Sequence, residues 1–273
     1  MPQTYRRSRG VSSRGANRFS SWELRGKTQG MQPSDPFDTV LCVWPGGPLS
    51  FVEHVGLASF RTAGATVRIV SYAPPAPLPG GVVWEDAARY LPPRAGLAER
   101  LAGPSCDRLR FALLRAVPGA LVVEPGLCRL APFVPVKGRL FGWANDKHIG
   151  LSAVALPPDS PALAALGPRE DGTDRSALGA PALTRAVQDS GEMRHALPRQ
   201  ALTPVLPKDR RHLIERGVDE AKLHRRGVMA VTLHAEDLRR DLAAHPDRVP
   251  SRWSMLGRLM ARFDVRPEDA PIP

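Results

Sequence analysis

A chain of 273 residues with 42% hydrophobic content can bury the core of one sizeable α/β domain or two small ones. No apolar run approaches the roughly 20 residues of a membrane span, and no apolar stretch follows the N-terminus as in a secretory leader. The three cysteines (Cys42, Cys106, Cys128) lack C-x-x-C spacing, so packed, reduced thiols and a cytoplasmic protein are expected rather than a disulfide scaffold.

The formal charge of +11 is uneven: residues 1–30 carry seven Arg or Lys against Glu23 alone. Residues 1–36 read as a basic, disordered tail rich in Ser, Arg and Gly. Met31 just before the first strand suggests a start-site extension, and residues 37–273 read as a single domain. Asp38–Trp44 is the first predicted strand, ended by Pro45-Gly46-Gly47. Ser50 and Glu53 form a capping box that opens a helix with Phe51, Val52, Val55 and Phe60 on its apolar face. Gly64 stops it, and Ala65–Tyr72 is the second strand, completing a βαβ unit. A Pro-rich loop, a short strand at Val82–Trp84 and a helix with Leu109, Ala112, Leu113, Ala116 and Val117 on one face follow. Pro118-Gly119 ends that helix, and Ala120–Val123 is a buried strand. Further on, Lys137–Trp143 reads as a strand and Asn145–Ala155 as helix or loop. Helices are read near Pro161–Leu166 and at Pro181–Asp189, with a polar loop over Gly167–Arg175 between them. Residues 196–226 are irregular and basic, Gly227–Leu233 is a last strand, and helices at Glu236–Ala244 and Ser254–Phe263 close the chain.

In open α/β sheets ligands gather beyond the ends of parallel strands, which places Glu124 and the Asp107/Arg110 pair on one cleft. By spacing alone Asp107 and Arg110 form an i, i+3 ion pair in the first turn of their helix. Trp44 and Tyr72, at the ends of the first two strands, can wall a base by stacking or belong to the core. His234 ends the last strand and reads equally as a ligand or a hydrogen-bonded structural residue.

Asp107 and Arg110, the small residues before Ala120–Val123, and Glu124 at the strand end resemble the D-x-x-R…G-G-(strand)-D-x-D pattern of DXD-type glycosyltransferases with the GT-A fold. The similarity is to the bacterial sugar transferases related to glycosyltransferase family 32. Trp44, Gly46, Leu49 and Ser50 resemble that family's W-x-G-x-x-L-S opening. Pro79, Gly80, Asp86 and Ala87 resemble its second block, Thr232-Leu233-His234 its late His motif, and Ser254, Leu256 and Leu259 its closing one. The resemblance implies a GT-A-like, Rossmann-related mixed sheet flanked by helices. It also implies a donor site using Trp44, Gly46, Tyr72, Asp107 and Arg110, with Glu124 as the catalytic carboxylate. In such enzymes two carboxylates hold Mn2+ or Mg2+ against the diphosphate. Here Val123-Glu124-Pro125 occupies the D-x-D position, so a metal site of Glu124 and His234 is weakened; Asp86 and Asp146 are the next candidate ligands. Pro118 replaces one family glycine, and Ile149-Gly150 stands where the family has Ile-Asn.

Three functions fit these readings. The first is a nucleotide-sugar-dependent glycosyltransferase of polysaccharide or glycolipid assembly, acting on a saccharide or lipid-linked acceptor. The second is a catalytically silent GT-A domain that binds sugar, nucleotide or a protein partner. The third is an anion-binding protein that uses its positive charge. Peripheral membrane contact through the basic tail stays open, and nucleic acid is not the expected partner.

Overall fold

The computed structural model describes residues 36–93, 103–166, 178–216, 223 and 225–273. The basic tail and the loop read over 167–175 lie outside them. From Ser34 onwards the chain forms one compact unit. Its strands are β1 (Thr39–Val43), β2 (Thr66–Ser71), β3 (Val83–Asp86), β4 (Leu121–Val123), β5 (Leu127–Arg129), β6 (Ala153–Val154) and β7 (Ala230–Thr232). Its α-helices are α1 (Phe51–Arg61), α2 (Gly103–Ala116), α3 (Pro161–Ala165), α4 (Gly179–Asp189), α5 (Ala235–Ala243) and α6 (Met255–Arg262).

The main sheet has the order β3-β2-β1-β4-β6. The first four strands are parallel and β6 is antiparallel to β4. This is the mixed, Rossmann-related sheet flanked by helices expected from the sequence. Side-chain alternation divides the core between its two faces. Leu41, Val43, Val70 and Val122 pack with Leu109 and Leu113 of α2 and with α3 and α4. Val40, Cys42, Ile69 and Val123 point the other way, onto Leu57 and Phe60 of α1. A third cluster joins Phe51, Val52 and Val55 of α1 to α5 and α6. Helix α1 is therefore sandwiched: every residue from Phe51 to Phe60 is buried, where the sequence suggested a single apolar face.

Burial on all sides obliges the polar residues of α1 to find partners. Ser59 donates from Oγ to the Gly56 carbonyl at 2.6 Å and accepts the Arg129 N–H at 2.8 Å. His54 Nε2 donates to the Pro77 carbonyl at 3.0 Å, and burial pushes its pKa below the usual histidine value. Glu53 is engaged by Ser50, whose N–H and Oγ–H donate to Oε2 at 2.9 and 2.5 Å. This is the predicted capping box.

Two expectations are corrected and one is narrowed. Residues 137–143 form isolated bridges, not a strand: Leu140 pairs with Ala155, Gly142 with Leu197 and Trp143 with Ile149. Of the helix or loop read over 145–155 the structure has the loop, a tight turn, and adds the two-residue strand β6. The last strand, shortened to β7, leaves the main sheet to pair with β5, whose three residues are too few for periodicity to reveal.

Glu192 fastens the α3–α4 side. Its side chain is 4% exposed. It accepts from Arg139 Nε at 2.5 Å and from Ser160 Oγ at 2.7 Å. Burial raises its pKa, but the hydrogen bonds from Ser160, Arg139 and the Ala162 N–H, with the Arg139 charge, outweigh that and hold it below the usual carboxylate range. A lowered folded-state pKa contributes stability above the unfolded value of 4.5, and that contribution is lost as pH falls through the folded value. We expect Glu192→Gln to lower unfolding free energy by about 1.5–3 kcal/mol near neutrality. Urea titrations of both proteins should converge as pH falls from 4.5 through the lower folded-state value.

Candidate functional site at the carboxyl edge of the sheet

The chain runs outward from β1 through β2 to β3, then returns to place β4 on the other side of β1. The crevice beyond β1 and β4 is thus a topological switch point, where α/β sheets bind ligands. Beside it, a cavity of about 250 Å3 opens between the loops that follow β1 and β2. Pro45, Gly46 and Gly47 form one wall, and Ser71, Tyr72 and Pro75 belong to the other. Gly46 and Gly47 have φ of 110° and 84°, a left-handed region that favours glycine. Leu49 N–H donates to the Ala76 carbonyl at 3.1 Å and closes the floor between the loops. The Tyr72 ring lines the cavity and packs against the α2 core, and its hydroxyl donates to the Leu91 carbonyl at 2.9 Å. Burial raises the Tyr72 pKa, helped by the nearby Asp86 carboxylate. Asp86 itself caps the turn that follows β3, accepting the Ala88 N–H at 2.9 Å.

Trp44 sits differently from the stacking wall read in the sequence. It is 3% exposed in the core, and its indole N–H donates to the Gly47 carbonyl at 3.0 Å. It braces the glycine turn and is not a cavity-lining residue. Arg239 of α5, which the sequence reading missed, holds this brace in place. Its guanidinium carbon lies 5.7 Å from the Trp44 ring centroid, and Nη1 donates to the Pro48 carbonyl at 3.4 Å. Nε is 3.4 Å from Glu53 Oε1, an ion pair in distance though not an aligned hydrogen bond. Its neighbour Arg240 pairs instead with Glu236 and Asp237 of the same helix.

Asp107 and Arg110 lie in the second turn of α2, because the helix begins at Gly103 rather than just before Asp107. Arg110 Nη1 donates to Asp107 Oδ1 at 2.7 Å, and the two side chains are 15% and 17% exposed. Burial raises the Asp107 pKa, with Arg110 partly offsetting it. Arg110 also opposes the upward shift that burial imposes on the Cys42 and Cys106 thiols, while Glu124 and Glu53 add to that of Cys42. Arg110 Nε–H is buried and has no acceptor among the described residues.

Glu124 follows β4, half-buried, with its N–H donated to the Ser152 carbonyl at 3.1 Å. The turn it opens lies tight against α1: a Cβ on Gly56 would overlap the Pro125 carbonyl oxygen. His234 has φ 50° and ψ 50° and begins α5. Leu233 N–H donates to the Gly126 carbonyl at 2.7 Å, which brings this segment beside the Glu124 turn. His234 Nε2 lies 2.9 Å from the Val205 carbonyl, which can only accept, so Nε2 carries the proton and Nδ1 is left as the lone-pair nitrogen. Val123, at the first D-x-D position, is 1% exposed in the α1-side core. Among the described residues no three His, Cys, Asp or Glu side chains gather as a metal site.

No family model matches the chain, and no curated protein does. Among solved structures it is similar to one described as PaToxG Glycosyltransferase, at 9% identity and a TM-score of 0.39, over 57% of this chain and 70% of that one.

Arg239→Ala leaves Glu53, whose side chain is 1% exposed, without its counter-charge. We expect a loss on the order of 3 kcal/mol in denaturant unfolding. Adding Glu53→Gln should recover part of it, because the two residues act as a coupled pair. Strict additivity in that double-mutant cycle would refute the coupling.

Proposed function

We propose that the chain is a nucleotide-sugar-dependent glycosyltransferase of polysaccharide or glycolipid assembly. One observation supports this reading above all: the mostly buried Asp107–Arg110 pair of α2 carries an Nε–H that has no acceptor among the described residues, in a sheet whose β1/β4 switch point adjoins the Tyr72-lined cavity. The ordered series of family-32-like motifs agrees with it. In this proposal the base and ribose enter the cavity between Gly46 and Tyr72, and the diphosphate turns toward Arg110. Arg110 Nε–H, without an acceptor among the described residues, would donate to an anionic oxygen that reached it, and Asp107 fixes the guanidinium.

Transfer breaks the bond between the anomeric carbon and the diphosphate oxygen, and the electron pair leaves on that oxygen. An acceptor hydroxyl, of a saccharide or a lipid-linked sugar, forms the new bond to the anomeric carbon, and Glu124 takes its proton. Arg110 supplies positive charge where negative charge develops. Mn2+ or Mg2+ in this site would take Glu124 and Nδ1 of His234 as protein ligands. That donor set does not fit a tightly held hard cation, which wants several carboxylate or carbonyl oxygens. No step here is routed through a metal.

A second reading is a catalytically silent domain that keeps the donor pocket. The hydrogen bond from His234 to Val205 and the burial of Val123 favour it. Calorimetric titration with UDP- and GDP-sugars, with and without Mn2+, followed by a hydrolysis assay, separates the two. We expect saturable donor binding that Arg110→Ala weakens at least several-fold in protein that remains folded. Turnover marks the enzyme, and binding without turnover marks the silent domain. Unchanged affinity in a folded Arg110→Ala protein would sink the donor assignment.

A further inference from the structure

We infer that His54 is a pH-sensitive latch: its protonation releases the Pro77–Gly80 loop from α1 and loosens the floor of the cavity between the β1 and β2 loops. His54 is 6% exposed and lines a separate cavity of about 220 Å3. Ala58 and Arg61 of α1 continue its wall, Pro77 to Gly80 face them, and residues of the C-terminal segment between Phe263 and Asp269 complete it.

One loop joins the two cavities. Ala73 to Ala76 line the first, and Pro77 to Gly80 line the second. The Ala76 carbonyl accepts the Leu49 N–H at 3.1 Å, and the adjoining Pro77 carbonyl accepts from His54 Nε2 at 3.0 Å. Arg61 Nη1 donates to the Gly80 carbonyl and clamps the far end of the loop. An arginine carries its charge across the physiological range, so acid acts at the His54 end. The C-terminal wall is fastened separately, by the Phe51 N–H donating to the Ala270 carbonyl at 2.7 Å.

Neutral His54 has one N–H, on Nε2, and the Pro77 carbonyl satisfies it. Protonation adds a charge and a second N–H on Nδ1, an atom with no hydrogen-bond partner among the described residues. The charged groups around the ring are Glu53 and Arg61 on α1 and Asp264, Arg266 and Asp269 on the C-terminal segment; Pro77 to Gly80 bring none. Glu53 is already committed to Ser50 and Arg239. Burial lowers the His54 pKa from the usual 6.5, against the opposing pull of the Pro77 hydrogen bond, Glu53 and Asp269. The desolvation penalty therefore exceeds what the nearby carboxylates return. The imidazolium gains most by reaching water, and lifting the loop off α1 admits it. Linkage fixes the sign: a folded pKa below 6.5 favours the closed loop above that pH, and the preference is lost as pH falls through the folded value. The latch acts on the loop itself, whatever the first cavity binds.

The test is amide hydrogen exchange of the full chain without nucleotide at about pH 5.5 and about pH 7.5, corrected for the intrinsic rate, which reads local opening. We expect the Leu49 amide to open about threefold more often, or more, at the lower pH. The Gly150 amide, bonded to the Gly142 carbonyl at 2.8 Å outside the loop, should not respond. His54→Gln, a neutral side chain with an N–H donor, should exchange alike at both pH values. Asp269→Asn, at an exposed position, removes a charge that favours the imidazolium in the closed state and should enlarge the acid effect. Should His54→Gln not fold, the parent and Asp269→Asn decide alone. The inference falls if corrected Leu49 exchange is the same at both pH values or if Gly150 accelerates as much. It also falls if His54→Gln keeps the parent's pH dependence or if Asp269→Asn diminishes it.

Discussion

A single buried carboxylate ties the candidate cleft to the fold. Glu53 caps α1 through Ser50, and across the same carboxylate it faces Arg239 of α5. Arg239 in turn lies over Trp44 and reaches Pro48. A charge removed from water is costly unless it is paired and hydrogen-bonded. The arrangement therefore does more than start a helix: it sets where the β1 strand turns, and the glycine turn of Gly46 and Gly47 is the wall of the cavity.

The same logic governs the other side of the cleft. Gly56 lets α1 press against the Pro125 carbonyl, and the β5/β7 pair pulls the start of α5 against Gly126. The Glu124 turn is held between these two contacts. Asp107 and Arg110 come from the opposite face of the sheet, on α2. Two layers with separate cores thus supply Glu124 and the Asp107–Arg110 pair. Asp107 and Arg110 are both mostly shielded from water, and burial raises the Asp107 pKa, so theirs is a buried ion pair rather than a surface one.

Local signals in the sequence were reliable where one residue's backbone or side chain decides the outcome. The Ser50–Glu53 box, the strands around β1 and β2, the α6 start at Ser254 and the Asp107–Arg110 spacing were all legible, because capping, alternation and i, i+3 neighbours are short-range. Helix α2 began earlier than read, since residues before Asp107 carry no distinctive cap. Strands β5 and β6 were not legible. β5 and β6 have three and two residues, and a strand that short exists only because a partner lies beside it.

The sequence by itself determined an α/β chain with a βαβ start, a cleft at the strand ends and a charged pair on the neighbouring helix. Tertiary structure alone decided which residues face that cleft. Trp44, a strand-end aromatic, turned inward because α5 presents a guanidinium to its ring. His234 took a left-handed backbone and gave its Nε2 proton to Val205, a residue 29 positions away. His54 and Asp269 met around one cavity although 215 positions separate them. Periodicity and capping report on neighbours within a turn or a pleat. Pairings across the chain depend on the shape that the packed layers leave.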